Sequence, residues 1–363
     1  MIPKDRALRL TQNCLVHLFG EEEEEEDVPP LQENDVTLRQ LCRLWAGMGH
    51  IYQVTVSGCK GNKHSRPFVI KHVTPPSRTR QSFGDRRKAD SYQVEANFYE
   101  KLARPLQTEH PGIQLPTPYF VEHGPEQGEI TICMSLLEGR PINTMNLGDV
   151  KKALGWMAAF HAAHWGENQI DTLVGDVGLQ RMGSYWHLDT RPDEHDSMSR
   201  RGWEGRLRRA ARAIDECLKR DPMQCLIHGD PKEANMMVLD GSKEVAMYDL
   251  QYCGKGTPTR DIAYFLCSSC DEDEEEKLVE HYYNQLVEQL LSKTDPTITP
   301  PTLEHFQESL ELAFCDFCRF MCGWGHWGYD VRTRVLAFLH RLDGGKDLGS
   351  EAAYDEAIRR ELW

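Results

Sequence analysis

From about Val36 onward the chain carries short runs of alternating apolar and polar positions. Tyr52-Gln-Val-Thr-Val56 has the two-residue period and β-branched content of a strand. Ser57–Asn62 reads as a turn, and Arg66–His72 is a second short apolar run. A polar loop, Thr74–Lys88, follows with Arg78, Arg80, Arg86 and Arg87. Tyr92, Ala96, Tyr99 and Leu102 then recur at helical spacing, which predicts a helix over Asp90–Ala103. Glu129–Met134 reads as a buried strand, and Ser135–Arg140 as a crossing between lobes. Beyond Arg140 the period lengthens. Val150–His164 patterns as a helix with Leu154, Met157, Ala158 and His161 on one side, and a further helix spans roughly Arg201–Lys219.

One compact β-rich interruption breaks this helical half. It consists of a strand at Gln224–Ile227, a polar loop at His228–Asn235 and a strand at Met236–Leu239. The turn signal Asp240-Gly241 and a third strand, Glu244–Asp249, complete it. Helices resume at Asp261, and no repeat of 20–50 residues is visible.

Composition narrows the class. Hydrophobic residues make up 40% and charged residues 27% of the 363, which excludes wholesale disorder. No window approaches a membrane span and no secretory signal is evident, so a cytoplasmic protein without a membrane partner is expected. Of the net charge of −15, seven acids fall in Glu21–Asp27 and six in Asp271–Glu276, leaving a nearly neutral body. Both runs read as solvated or loop-borne. The first 35 residues read as a flexible leader ending in the acidic, proline-terminated linker. Arg200, Arg201, Arg206, Arg208, Arg209 and Arg212 read as a solvated helix face, and no nucleic-acid partner is expected.

Twelve cysteines without a secretory signal are expected to be reduced thiols. Two CxxC pairs, Cys267/Cys270 and Cys315/Cys318, have 44 residues between them, far more than a zinc ribbon. Cys315, Cys318 and Cys322 share one helix face, so they read as core thiols. His161 and His164 read as packed histidines, since no HExxH motif accompanies them. Trp203, Trp324, Trp327 and Tyr329 read as packing aromatics in preference to an acceptor pocket.

The chemistry concentrates in Leu226-Ile-His228-Gly229-Asp230-Pro-Lys-Glu-Ala-Asn235. Asp230 and Asn235 stand five residues apart between two apolar strands, and Asp249 ends the hairpin that follows. Asn235 and Asp249 offer hard oxygen ligands to Mg²⁺, and Asp230 offers a base for an attacking hydroxyl. The interval matches the kinase catalytic loop, H-R-D-x-x-x-x-N, with its later metal-binding Asp.

His-Gly-Asp-x-x-x-x-Asn followed by a strand ending in Asp249-Leu-Gln251 resembles the kinase-like small-molecule phosphotransferases: aminoglycoside phosphotransferases, choline kinases and ecdysteroid kinase-like proteins. Gln251 looks most like the ecdysteroid kinase-like (CHK kinase-like) branch. The resemblance implies further parts. Lys71, ending an apolar strand, would meet the phosphates with Glu95 as its partner, and Gly47 and Gly49 would cover them. Backbone groups near Ser135 and Leu137 would read the adenine. Asp261 would brace the catalytic loop, with His228 in structural support. Pro231-Lys232 and the short glycine loop depart from the pattern.

The implied architecture is α+β and two-lobed, with a β-rich nucleotide-binding lobe (36–135), a helical catalytic lobe (136–363) and the leader (1–35). The implied reaction moves a phosphoryl group from ATP, with Mg²⁺, to a hydroxyl of a steroid-, choline- or aminoglycoside-like acceptor. The short Asp249–Asp261 interval lacks a protein-kinase activation segment. Two alternatives are a pseudokinase that binds nucleotide or a protein partner without turnover, and an interaction module that docks through its acidic runs. The acceptor and the oligomeric state are not legible in the residues.

Overall fold

The computed structural model describes residues 2–19, 31–57, 67–76, 83–126 and 128–362. Two compact units result: residues 1–111 with 115–138, and residues 112–114 with 139–363. The first contains α1 (Lys4–Phe19), β1 (Val36–Arg43), β2 (Gly49–Val56), β3 (Phe68–Val73), α2 (Phe83–Lys101), α3 (Ala103–Glu109), β4 (Pro118–His123) and β5 (Ile130–Ser135). Its strands form an antiparallel sheet in the order β1-β2-β3-β5-β4.

The two-residue period of β3 sorts its side chains to opposite faces. Phe68 and Ile70 join Tyr52, Val54 and Val56 of β2 in a core that α1 completes with Ala7, Leu10, Cys14 and Leu15. Lys71 belongs to the other set and meets α2. The expectation of a flexible leader therefore fails for residues 4–19. Their apolar positions recur at helical spacing and cover one face of the sheet. Arg6 bonds Glu129 and Glu122, and Arg9 holds Glu122 at 2.6 and 2.9 Å. Glu21–Asp27 lies outside the described residues. Since Leu10 is fully buried, Leu10→Ala is expected to cost about 2–5 kcal/mol in urea unfolding. An unchanged midpoint would show that α1 contributes nothing to the unit. The polar loop is also shorter than expected, because α2 already begins at Phe83 and only its later turns carry the apolar stripe.

The second unit holds β6 (Gly139–Pro141), α4 (Leu147–Ala163), α5 (Glu167–Val177), α6 (Pro192–Ser197), α7 (Gly202–Arg220), β7 (Cys225–Ile227), β8 (Met236–Leu239), β9 (Val245–Met247) and β10 (Gly254–Gly256). It closes with α8 (Pro258–Ser269), α9 (Glu275–Leu291), α10 (Leu303–Trp324), α11 (Arg332–Asp343) and α12 (Glu351–Leu362). The β8–β9 hairpin pairs with β6, and β7 pairs with β10. α10 packs against α6, α7 and α8. At that junction the fully buried Arg260 reaches Asp215 and Asp316 at 2.8 Å each, so the charge is paired on both sides.

The arginine-rich helix is α7, and its cations are not simply solvated. Arg206 bonds the buried Asp343 at 2.6 and 2.7 Å, and Arg208 bonds Asp196. Arg209 bonds Asp347 and Arg212 faces Glu351. The acidic run at Asp271–Glu276 is likewise structured, as a short turn leading into α9. Its Glu275 receives bonds from Tyr329 and Arg334. Cys315 and Cys318 are buried on α10, and burial pushes the Cys315 thiol well above its usual range.

Candidate active site

Hydrophobic β7 delivers the chain to the loop His228–Asn235, and the loop's shape follows from its backbone partners. Gly229 adopts φ +82°, and a Cβ there would stand 2.2 Å from the Tyr252 carbonyl oxygen and 2.7 Å from the Ser184 nitrogen. Only glycine fits. Asp261, in the first turn of α8, accepts the His228 N–H at 2.7 Å on Oδ2 and the Gly229 N–H at 2.9 Å on Oδ1. The positive end of the helix favours that carboxylate. His161 of α4 donates Nε2–H to Asp261 at 3.1 Å and receives the Tyr282 hydroxyl at 2.7 Å on Nδ1. All three side chains are buried. His228 points Nε2–H at the Tyr248 carbonyl (3.2 Å) and accepts the Asp230 N–H on Nδ1 (3.3 Å), the pattern of a neutral ring. Burial accordingly lowers its basicity.

Asp230 emerges from this brace with both carboxylate oxygens engaged. Oδ1 accepts the Tyr264 hydroxyl at 3.0 Å. Oδ2 accepts Lys232 Nζ at 2.8 Å and Asn235 Nδ2 at 3.2 Å. Burial outweighs the Lys232 cation and raises the Asp230 carboxyl above its ordinary value. Burial works to lower the Lys232 ammonium, but the combined attraction of Asp230 and Asp249 raises it. Asn235 also donates Nδ2–H to the Asp230 carbonyl at 2.9 Å, so its amide nitrogen is committed and Oδ1 is the atom left to a ligand. Asp249 follows β9 at φ +69°, a conformation that Asp tolerates better than branched residues. Gln251 Nε2 donates to its Oδ1 at 2.5 Å.

Among the described residues no three His, Cys, Asp or Glu side chains converge as a metal cage. Asn235 Oδ1 and the Asp249 carboxylate are hard oxygen donors of the kind that suit Mg²⁺ on a nucleotide, which takes one or two protein carboxylates and completes its shell with phosphates and water.

In the first unit Lys71 Nζ lies 2.5 Å from Glu95 Oε2 and 5.3 Å from the Tyr92 ring centre, with both ions buried. A buried pair of this kind is costly to desolvate. Gly47 lies in the turn between β1 and β2, and Gly49 opens β2. Gly49 has φ +136°, and a Cβ there would stand 2.0 Å from the His72 carbonyl oxygen, so the close approach of β2 to β3 demands glycine. Gly47 has φ +69° and open space around it. Ser135 ends β5, and its N–H and hydroxyl are both used by Thr117. Leu137, half-buried, follows the strand.

Sequence reasoning missed Tyr264, although it lies one helical turn beyond Asp261 on α8, and it noted Lys232 only as a departure. Tyr185 was also missed. Its hydroxyl reaches the Tyr264 hydroxyl at 3.5 Å, and nothing in the local pattern of residues 178–191 links it to a loop forty residues later. The aromatics read as packing residues play mixed parts. Trp327 stands edge-on to Tyr264 and Phe317. With Trp203, Tyr329, Glu204 and Asp330 it also lines a cavity of about 340 Å³.

A lysine–glutamate pair on β3 and α2, and an Asp-x4-Asn loop braced from a helix and followed by a hairpin Asp, are the parts of a kinase-like phosphotransferase. Residues 63–295 match the phosphotransferase enzyme family, and the chain belongs to that family of enzymes. Among solved structures it is similar to an ethanolamine kinase from Plasmodium vivax, at 12% identity and a TM-score of 0.51, over 93% of this chain and 94% of that one. An aminoglycoside-3'-phosphotransferase of type VIII gives 15% identity and a TM-score of 0.47 over 87% and 98%. A choline kinase from Streptococcus pneumoniae gives 12% and 0.43 over 89% and 92%. No curated protein matches the chain. The likeness to the ethanolamine kinase and the sheet-then-helices architecture agree on an α+β kinase-like fold. No helix among the described residues is long and apolar enough to cross a membrane.

Proposed function

We propose that the protein transfers the γ-phosphoryl group of ATP, in the presence of Mg²⁺, to a hydroxyl of a small molecule. The observation that carries this reading is the Asp230 carboxylate. It is buried, fixed by three donors, and set on one loop with Asn235, while Asp249 follows at the end of the hairpin. Asp230 orients the acceptor hydroxyl and takes its proton as the new O–P bond forms and the bond to the ADP oxygen breaks. Asn235 Oδ1 and the Asp249 carboxylate are the metal ligands. Mg²⁺ held there neutralises phosphate charge. Lys71, oriented by Glu95, contacts the phosphates, with Gly47 and Gly49 over them. Ser135 has its N–H committed to the Thr117 carbonyl, so adenine recognition falls to the backbone at Leu137. Nothing in the comparisons favours a pseudokinase.

Nucleotide titration with and without Mg²⁺ tests the ligand assignment. Wild type is expected to bind ATP more tightly with Mg²⁺, and Asp249→Asn to lose that gain, because an amide supplies only a neutral oxygen. Lys71→Ala is expected to weaken ATP binding with the metal present or absent. Wild-type behaviour in both variants would refute the reading.

A further inference from the structure

An aromatic box, open to solvent at Trp324, lies on the α10 side of the Asp230 cluster. Tyr185, Phe320 and Trp324 form it, and the guanidinium of Arg191 fills it, with Cζ 5.2, 5.5 and 5.2 Å from the three ring centres. Phe320 stacks on Trp324 at 5.7 Å, and Tyr185 meets Phe320 edge-on at 5.5 Å. Arg191 is pinned there, with Nε donating to the Tyr185 carbonyl at 2.7 Å and Nη1 to Glu194 at 3.2 Å. Gly323 allows α10 to approach the Glu194 backbone, where a Cβ would stand 1.9 Å from its carbonyl oxygen. The box adjoins the catalytic group. The Tyr185 ring lies 5.6 Å from the Tyr252 and Tyr264 rings, and the Tyr264 hydroxyl bonds Asp230.

Aromatic faces beside a carboxylate form the environment that binds organic ammonium ions. Here the protein supplies the cation itself. We infer that Arg191 is a specificity-determining residue: an internal cation that closes the aromatic box beside Asp230 and denies it to ammonium groups of acceptor molecules. Removing the guanidinium leaves three rings and an unpaired Glu194. As a statement about acceptors the inference rests on the phosphotransferase reading. As a statement about binding it does not.

Tetramethylammonium chloride is the probe, with sodium chloride as the ionic-strength control and tryptophan emission as the readout. Wild type and Arg191→Lys are expected to show no saturable response that depends on Trp324. Arg191→Ala is expected to bind the probe saturably with a millimolar midpoint, at least about tenfold tighter than wild type. Arg191→Gln carries the same expectation in milder form, and serves if Arg191→Ala does not fold. Trp324→Ala in the opened variant is expected to abolish the gain. Absence of any gain in a folded Arg191→Ala or Arg191→Gln would overturn the inference, as would equal Trp324-dependent binding by wild type. A gain that survives Trp324→Ala would place the cation elsewhere and also overturn it. No arm requires turnover, so failure here is distinct from failure of the phosphotransferase reading.

Discussion

Asp230→Asn is expected to leave Mg²⁺–ATP binding nearly intact while lowering kcat by about 10²–10⁴, the usual worth of a positioned general base. The amide keeps the side chain's shape, and its oxygen can still accept the Tyr264 hydroxyl at the place where Oδ1 now does, 3.0 Å away. What disappears is the ability to take a proton from the acceptor, together with the bonds that Oδ2 accepts from Lys232 and Asn235. In a loose, largely dissociative transition state proton transfer comes late, so the loss is expected nearer the lower bound. Paired nucleotide titration and turnover measurements check this. Equal damage to Mg²⁺–ATP binding in Asp230→Asn and Asp249→Asn would end the division of labour between the two aspartates.

Asp261→Ala is expected to damage both stability and rate. The carboxylate receives the N–H groups of His228 and Gly229 and the Nε2–H of His161, all within the protein interior. Truncation leaves three buried donors unsatisfied, each at a cost of about 1–3 kcal/mol before relaxation. The same loss releases the segment that aims Asp230, so kcat is expected to fall even in the fraction that stays folded. Asp261→Asn keeps one accepting oxygen and is expected to be milder on both counts. The checks are chemical unfolding and turnover on the same preparations. A variant with wild-type stability and rate would show that the loop holds its shape without Asp261.

The parts of the candidate site legible in the sequence were those whose chemistry and spacing lie within one loop or strand end. Asp230, Asn235 and Asp249 needed only an interval and a hairpin signal, and Lys71 needed only an apolar strand. The brace made by His161 was invisible, because residues 161 and 261 meet only after α4 and α8 have packed. The packing demand on Gly49 was hidden for a related reason. Its demand for glycine comes from the neighbouring strand's His72 carbonyl, which no local pattern displays. α1 was obscured by the acidic run after it, whose composition drew attention away from the apolar positions of residues 7–15. The arginines of α7 looked solvated since their partners, Asp343 and Asp347, lie more than 130 residues later.

The proposed reaction is phosphoryl transfer from ATP to a small-molecule hydroxyl through Asp230. The most direct measurement is ATP consumption with product detection across a library of hydroxylated metabolites, with wild type and Asp230→Ala run side by side. At least one acceptor is expected to yield a phosphorylated product and stoichiometric ADP with wild type, and about 10²-fold less or lower still with the variant. Equal product formation by both proteins, or no acceptor-dependent ADP release by a wild-type protein that binds Mg²⁺–ATP, would contradict the account.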